Sequence, residues 1–306
     1  MKLNMSGETF VYPKLGAVCD LWHVRLSGAG IGNSLYTYFH SVVAARNSSA
    51  IVLAPAWVSL KMGVFLRREY SKRTYWGQFV PHRDEISGAR KFVALLRGWK
   101  NAVHVDVGGG RSPVIARGKV NIATCRTFSF IGLHEHRDLI RNRLVEITGE
   151  HVDRTPSWGA GGYIGVHVRL GDFAPAPDGD TADRVNTRIP LRWYVDCLRS
   201  VKRRYPFAEV KIFSDGHAHE LRELLDCGAH LCRTGSDVGD LLALSSASVL
   251  IGSNSTFSWW AAFLGNMPSV WMGTPDRHEK PSAPDTPIEY RPLRAEVEAA
   301  TSPRRG

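Results

Sequence analysis

Cysteine is scarce in this chain: five residues, Cys19, Cys125, Cys197, Cys227 and Cys232, among 306. The number is odd, the spacing is wide, and a chain of this length needs no covalent staples, so reduced thiols in a cytosolic compartment are expected. Cys227 and Cys232 lie near each other, but no second Cys/His pair stands at zinc spacing, which argues against a structural zinc site. Long apolar runs are missing too. No stretch reaches the roughly 18 uninterrupted apolar residues of a membrane-spanning helix, and the opening MKLNMSGETFVYPKLG has no apolar core of a secretory signal. A soluble, unexported protein is expected. Acidic residues are in deficit: 39 Lys and Arg against 29 Asp and Glu leave a net charge of +10. Such a field favours anionic partners, whether nucleic acid, a phosphate-bearing metabolite or an anionic membrane surface. The sequence also lacks an internal repeat, a Gly-x-x-x-x-Gly-Lys-[Ser/Thr] phosphate loop, a His-Glu-x-x-His zinc motif and a Gly-x-Ser-x-Gly nucleophile elbow.

What remains is ordinary globular material, 43% hydrophobic and 22% charged, long enough for two domains at about 150 residues each. Turn formers cluster without periodicity from Asp153 to Gly162, which puts the boundary near 155 and divides the chain into 1–155 and 156–306. In the first half, a strand from Ala17 to Leu26, a helix to about Arg46 and the apolar Ala50 to Leu53 read as one βαβ unit. The stretch from Trp57 to Lys100 is irregular, basic and aromatic, and reads as a helical insertion or a lid. Strands follow at Ala102 to Val107 and Val120 to Thr124, with a helix from about Glu135 to Thr148.

The second half alternates more regularly. Strands at Tyr163–Leu170, Glu209–Phe213, His230–Arg233, Ser248–Ile251 and Ser269–Met272 are separated by helices at Leu191–Arg204, His217–Leu225, Asp237–Ser246 and Thr256–Leu264. That pattern predicts a parallel, doubly wound sheet whose ligands sit at the carboxyl ends of its strands. The tail after about Thr274, rich in Pro and charge, reads as peripheral.

The sharpest cluster is Gly165-Val-His-Val-Arg-Leu-Gly-Asp172. Strand alternation puts Val166, Val168 and Leu170 on one face and His167 and Arg169 on the other. The planar fork of Arg169 suits a diphosphate, and its charge offsets the negative charge that builds on a departing nucleotide. Alternatively, Arg169 pairs with Asp172 and His167 is a core histidine. In the second cluster, Ile251-Gly-Ser-Asn-Ser-Thr-Phe-Ser-Trp-Trp-Ala-Ala-Phe-Leu264, a strand passes into a helix through small hydroxyl residues. Free N–H groups at that helix start make a phosphate site, with Ser253, Asn254 or Ser255 as the cap. The pair Trp259 and Trp260 reads as core on helical spacing, with a sugar-stacking platform as the alternative. Asp215 in Phe213-Ser-Asp215 ends another strand, where it either accepts from a ribose or base or caps a helix.

Gly28-Ala-Gly-Ile-Gly-Asn33 imitates a dinucleotide fingerprint, but Asn33 stands where Gly or Ala is wanted and no Asp or Glu occurs from Leu21 through Arg68. The NAD(P) reading therefore fails, leaving a tight loop with backbone donors that opens a helix. Asp178-Gly-Asp180 copies a short metal-binding signature of sugar transfer; three residues in a Pro-rich loop are too little to assign a metal.

In order, Gly30-Ile-Gly-Asn33, Val166-His-Val-Arg-Leu-Gly-Asp-Phe173, Phe213-Ser-Asp215 and the long stretch from Asp240 to Leu264 resemble the fucosyltransferases that share a His-x-Arg motif, most closely the α-1,2-fucosyltransferases of glycosyltransferase family 11. The resemblance implies an α/β, GT-B-like fold of two Rossmann-like lobes with a donor cleft between them, an acceptor-side first lobe and a GDP-sugar-binding second lobe. It also implies GDP-fucose as donor, a glycan acceptor, inversion at the anomeric carbon and no required metal or other cofactor. On the matching positions, Arg169, His167 and Asp172 become catalytic residues. His167, Arg169, Asp215, Asn254, Ser255, Thr256 and Phe257 become donor contacts, while Gly30, Gly32 and Asn33 approach donor or acceptor. Two positions depart from the family pattern: Leu170 stands where a second Arg is usual, and Gly216 where a second Asp is usual. The general base is open among Asp172, Asp178, Asp180 and Asp183.

By the same resemblance, α-1,2 linkage to galactose is the first expectation, with an α-1,6- or O-fucosyltransferase-like enzyme or a non-catalytic GDP-sugar-binding relative as alternatives. The basic surface suits peripheral contact of a cytoplasmic enzyme with membrane-anchored glycan intermediates at the inner membrane. A nucleic-acid-binding protein, suggested by the charge and by Arg67-Arg-Glu-Tyr-Ser-Lys-Arg73, lacks any supporting motif, so no nucleic-acid partner is expected.

Overall fold

The computed structural model describes residues 7–16, 19–21, 23–60, 73–109, 112–171, 173 and 187–272. They fall into two units, with the change from the first to the second between His151 and Val152. Both units are α/β with a parallel main sheet, which the alternation in the sequence predicts for the second.

The first unit contains β1 (Phe10–Pro13), β2 (Cys19–Leu21), β3 (Val24–Leu26), α1 (Ile31–Asn47), β4 (Ile51–Val52), β5 (Val58–Leu60), α2 (Gly88–Gly98), β6 (Val103–Asp106), β7 (Val120–Thr124) and α3 (Arg137–Ile147). Its main sheet has the order β4-β1-β7-β6, parallel throughout. The expected βαβ unit needs one correction. The strand that pairs with β4 is β1, not the Ala17–Leu26 segment. The latter forms β2 and β3, which pair antiparallel and, with β5, make a separate three-stranded sheet. β1 is four residues long and buried at every position, too short for alternation to announce it. The expected insertion at Trp57–Lys100 carries α2, whose Ala94 and Leu95 join the sheet core around Phe10, Tyr12, Val120 and Ile122.

The second unit runs β8 (Tyr163–Val168), α4 (Leu191–Arg204), β9 (Glu209–Ser214), α5 (Arg222–Leu225), β10 (His230–Leu231), α6 (Asp237–Ser245), β11 (Val249–Ile251), α7 (Thr256–Gly265) and β12 (Ser269–Val270). Every expected strand and helix is present, with ends shifted by a few residues; a 3-10 turn replaces the start of the helix expected from His217. The five strands are parallel in the order β10-β9-β8-β11-β12. Successive connections leave β8 toward β9 and then return past it to β11, so the reversal point of the sheet lies between β8 and β11. Ligand crevices of such sheets form at that point, outside the carboxyl ends of the strands.

Alternation along β8 sorts its side chains as expected. Val166 and Val168, followed by Leu170, enter a core with Tyr194, Val195, Leu198 and Val201 of α4. Gly165 lies on the opposite face, where a Cβ would meet Leu244 Cδ1 and Ala247 Cβ, each at 2.9 Å. The bare glycine thus lets α6 and its following turn approach the strand that carries the site.

Candidate active site

His167, on the last turn of alternation in β8, is buried and faces a nest of serines. Its Nδ1 lies 2.6 Å from Ser258 Oγ and 2.8 Å from Ser253 Oγ. Both serines are buried, and Ser258 Oγ also accepts the Ser253 N–H at 3.2 Å. Phe257 stacks on the imidazole at 4.9 Å between ring centres. Desolvation holds the His167 pKa well below the ordinary imidazole range; the Asp215 charge opposes that shift and the Arg169 charge adds to it. His167 is therefore a neutral hydrogen-bonding group at physiological pH.

α7 begins beside that nest because Ser255 caps it, its Oγ accepting the Ser258 N–H at 3.4 Å. No acidic residue occupies the first turn, so the positive end of the helix dipole is left for an anion. Asn254 donates from its side chain to the Met272 carbonyl at 3.3 Å, anchoring the loop to the end of β12. Thr256 follows the cap, half-buried with Asn254, Ser255 and Phe257. The helix then turns apolar on all sides. Trp259 and Trp260 are both buried, which makes the pair core, as their spacing suggests.

Arg169 follows β8 directly. Its Nη1 pairs with Asp215 Oδ2 at 2.9 Å, and its guanidinium lies 5.6 Å from the centre of the Phe173 ring. Asp215, at the end of β9, also accepts the Leu170 N–H at 2.8 Å and the Gly171 N–H at 3.1 Å. One carboxylate thereby fixes both the Arg169 charge and the loop behind it. Asp172, like Asp178, Asp180 and Asp183, lies outside the described residues.

Arg188 was not singled out by the sequence. Its Nε donates to the carbonyls of Leu170 at 2.8 Å and Phe173 at 3.0 Å, so it ties down the same loop from a segment without a recognisable motif. Arg233 adds a bond from Nη2 to the Gly216 carbonyl at 2.9 Å. Three arginines therefore surround the carboxyl ends of β8 and β9. Among the described residues, no cluster of three or more His, Cys, Asp or Glu side chains is placed to hold a metal ion.

Gly30, Gly32 and Asn33 belong to the first unit, at the start of α1. Gly30 caps that helix without a side chain, and no acidic residue stands in its first turn. The Asn33 Oδ1 is buried with no hydrogen-bond partner among the described residues. The preceding loop is shaped by Arg25, fully buried, which donates to the Leu15 carbonyl at 2.8 Å and the Ala29 carbonyl at 3.2 Å. Gly28 has φ of +111°, and a Cβ there would lie 2.7 Å from the Leu15 oxygen, so this turn requires glycine.

The sequence profile described as Glycosyl transferase family 11 matches residues 129–284, just over half of the chain and all the site residues described in the second unit. The chain belongs to glycosyl transferase family 11. An α-1,2-colitosyltransferase of Escherichia coli is 28% identical to this family 11 chain over 109 residues, covering 34% of the chain and 36% of the relative. The matched segment thus spans about a third of that curated protein. Similar solved structures include the fucosyltransferase NodZ from Bradyrhizobium, at 12% identity and a TM-score of 0.47, covering 85% of this chain and 94% of NodZ. Another is POFUT1 in complex with GDP, at 10% identity and a TM-score of 0.43, covering 88% of this chain and 99% of POFUT1.

Proposed function

We propose that this family 11 glycosyltransferase moves L-fucose from GDP-β-L-fucose to a glycan hydroxyl, with galactose O2 as the acceptor position. The observation that carries the reading is the meeting of Arg169, neutral His167 and the acid-free start of α7 at the reversal point of the second unit's sheet. A helix start and a guanidinium converging there suit a nucleoside diphosphate. The family match supports sugar transfer, and the colitosyltransferase relative supports the α-1,2 linkage.

In this reading the acceptor oxygen attacks the fucose anomeric carbon as the bond from that carbon to the β-phosphate oxygen breaks. The configuration inverts from β to α, GDP leaves, and the acceptor proton passes to a general base. Negative charge grows on the diphosphate, where Arg169 and the N–H groups at the start of α7 act in the transition state more than in the ground state. His167 orients the donor without adding charge. Asp215 is a positioning residue, aiming Arg169. No step needs a metal ion. Asp172 retains its assignment as a base candidate, and Gly30, Gly32 and Asn33 their assignment to donor or acceptor contacts, on resemblance alone.

A second donor, GDP-colitose, is suggested by the same Escherichia coli relative. Calorimetric titration with GDP-fucose, GDP-colitose, GDP-mannose, GDP and UDP, with and without a chelator, tests the reading. Chelator-insensitive binding of GDP and one GDP-deoxyhexose supports it. Absence of guanine-nucleotide binding refutes it.

A further inference from the structure

Arg188 stands in a segment that its neighbours hold firmly. Thr187 before it is buried, Ile189 after it enters the core that also holds Leu170, and Pro190 is the N-cap of α4. The single Nε–H of Arg188 is shared between the carbonyls of Leu170 at 2.8 Å and Phe173 at 3.0 Å. Its Nη1 lies 3.7 Å from Glu220 Oε1, in the 3-10 turn that follows β9. Glu220 is itself fixed there, since its Oε2 accepts the His217 N–H at 2.8 Å. One guanidinium thus joins the segment that leaves β8 to the segment that leaves β9.

Those two segments carry Arg169 and Asp215. Leu170 is held at both of its backbone polar groups, its N–H by Asp215 Oδ1 at 2.8 Å and its carbonyl by Arg188. Phe173, whose carbonyl takes the other half of the shared bond, sets its ring 5.6 Å from the Arg169 guanidinium. Arg188 therefore acts on Arg169 from two directions, through the next residue in the chain and through the ring beside the guanidinium. We infer that Arg188 is a positioning residue for Arg169: it keeps that guanidinium aimed at the departing diphosphate and makes no diphosphate contact of its own. The inference rests on reading this crevice as the diphosphate site. A donor held in place beforehand stabilises the charge of the transition state without reorganising at the moment of reaction, so rigidity behind Arg169 is worth binding and rate. The task suits arginine. Its planar fork serves two carbonyls and a carboxylate together, whereas a lysine ammonium carries the same charge without that fixed geometry.

Calorimetric titration of GDP into the full-chain parent, R188Q, R169A and R188Q/R169A tests the inference, with circular dichroism and Tm measured on each protein. In the parent background R188Q weakens GDP binding by about fivefold or more. In the R169A background the same change weakens it by less than about twofold, because the residue that Arg188 serves is gone. R188K keeps the charge but follows R188Q rather than the parent. If R188Q does not fold, R188K and R188K/R169A close the same cycle. Equal fold-changes in the two backgrounds overturn the inference in favour of an independent contact, and parental affinity in R188Q or R188K overturns it as well. Failure of both R188Q and R188K to fold assigns Arg188 to the fold alone and also overturns it. A parent that binds no GDP overturns the diphosphate reading itself, a result that appears before any variant is compared.

Discussion

Leu170 lies directly over the Cα of Gly216: a Cβ on Gly216 would come within 2.4 Å of Leu170 Cδ1 and 3.2 Å of Glu220 Oε2. These are the two positions at which the sequence departs from the pattern it resembles, and here they form one contact. Leu170 belongs to the α4 side of the sheet with Val166 and Val168, opposite the face that His167 presents to α7. The two positions therefore pack against each other behind the site, through an apolar contact.

The contact makes the two positions energetically coupled. Gly216→Ala in the parent overpacks the site and lowers stability by about 1–3 kcal/mol. In a Leu170→Ala background the same change costs much less. Urea denaturation of the four proteins gives the coupling directly; equal effects of Gly216→Ala in both backgrounds would show that Leu170 is not what excludes a side chain at 216.

Asp215→Asn tests the clasp. The variant keeps an oxygen acceptor but loses the charge that pairs with Arg169 and strengthens the bonds from the Leu170 and Gly171 N–H groups. Loss of charge-assisted bonding of about 1.5–3 kcal/mol loosens the loop, and GDP binding weakens by about tenfold or more as Arg169 leaves its position. Retained GDP affinity together with lowered stability would make Asp215 structural only.

How far the sequence disclosed this arrangement differs between the two units. In the second, long regular alternation and the switch at Ser253–Thr256 disclose nearly every element, because its parallel strands, buried throughout in β8, β11 and β12, are separated by helical segments. Period-two reasoning also paired His167 with Arg169. The first unit was less legible, since β1 is brief and ends in Pro13, and the longer apolar segment after it belongs to another sheet. Sequence proximity offers Asp172, outside the described residues, as a partner for Arg169, but it gives no hint of Asp215, which register brings alongside β8 at the end of β9. Arg188 and the enclosure of His167 by Ser253 and Ser258 are products of tertiary packing, with no local signal.

Buried neutral histidine makes stability depend on pH. Burial lowers the pKa of His167, and also that of His40. The unfolded chain gains protons on these imidazoles as pH falls through about 6.5, while the folded chain resists them. Their contribution to stability is thus complete above the ordinary imidazole pKa and declines as pH falls toward the lower folded values. His167→Gln flattens the decline by up to about 1.4 kcal/mol per pH unit. Denaturant titrations from neutral to mildly acidic pH check this; an unchanged slope would mean that His167 takes up its proton in the folded protein.

Ser258→Ala removes the hydroxyl 2.6 Å from His167 Nδ1 and leaves the buried Ser253 N–H without that acceptor. Stability falls by about 1–3 kcal/mol. Because the imidazole loses an orienting partner, transfer falls more than donor affinity does. A variant with lower Tm but parental kcat would assign Ser258 to the fold alone.

The most direct test is the Arg169→Ala variant, assayed by calorimetry with GDP-fucose and GDP and by transfer to a galactoside acceptor. The account predicts a folded protein whose diphosphate affinity falls by at least about tenfold and whose transfer rate falls by about a hundredfold or more. Near-parental binding and turnover would contradict the assignment of the β8–α7 crevice as the place where the diphosphate departs.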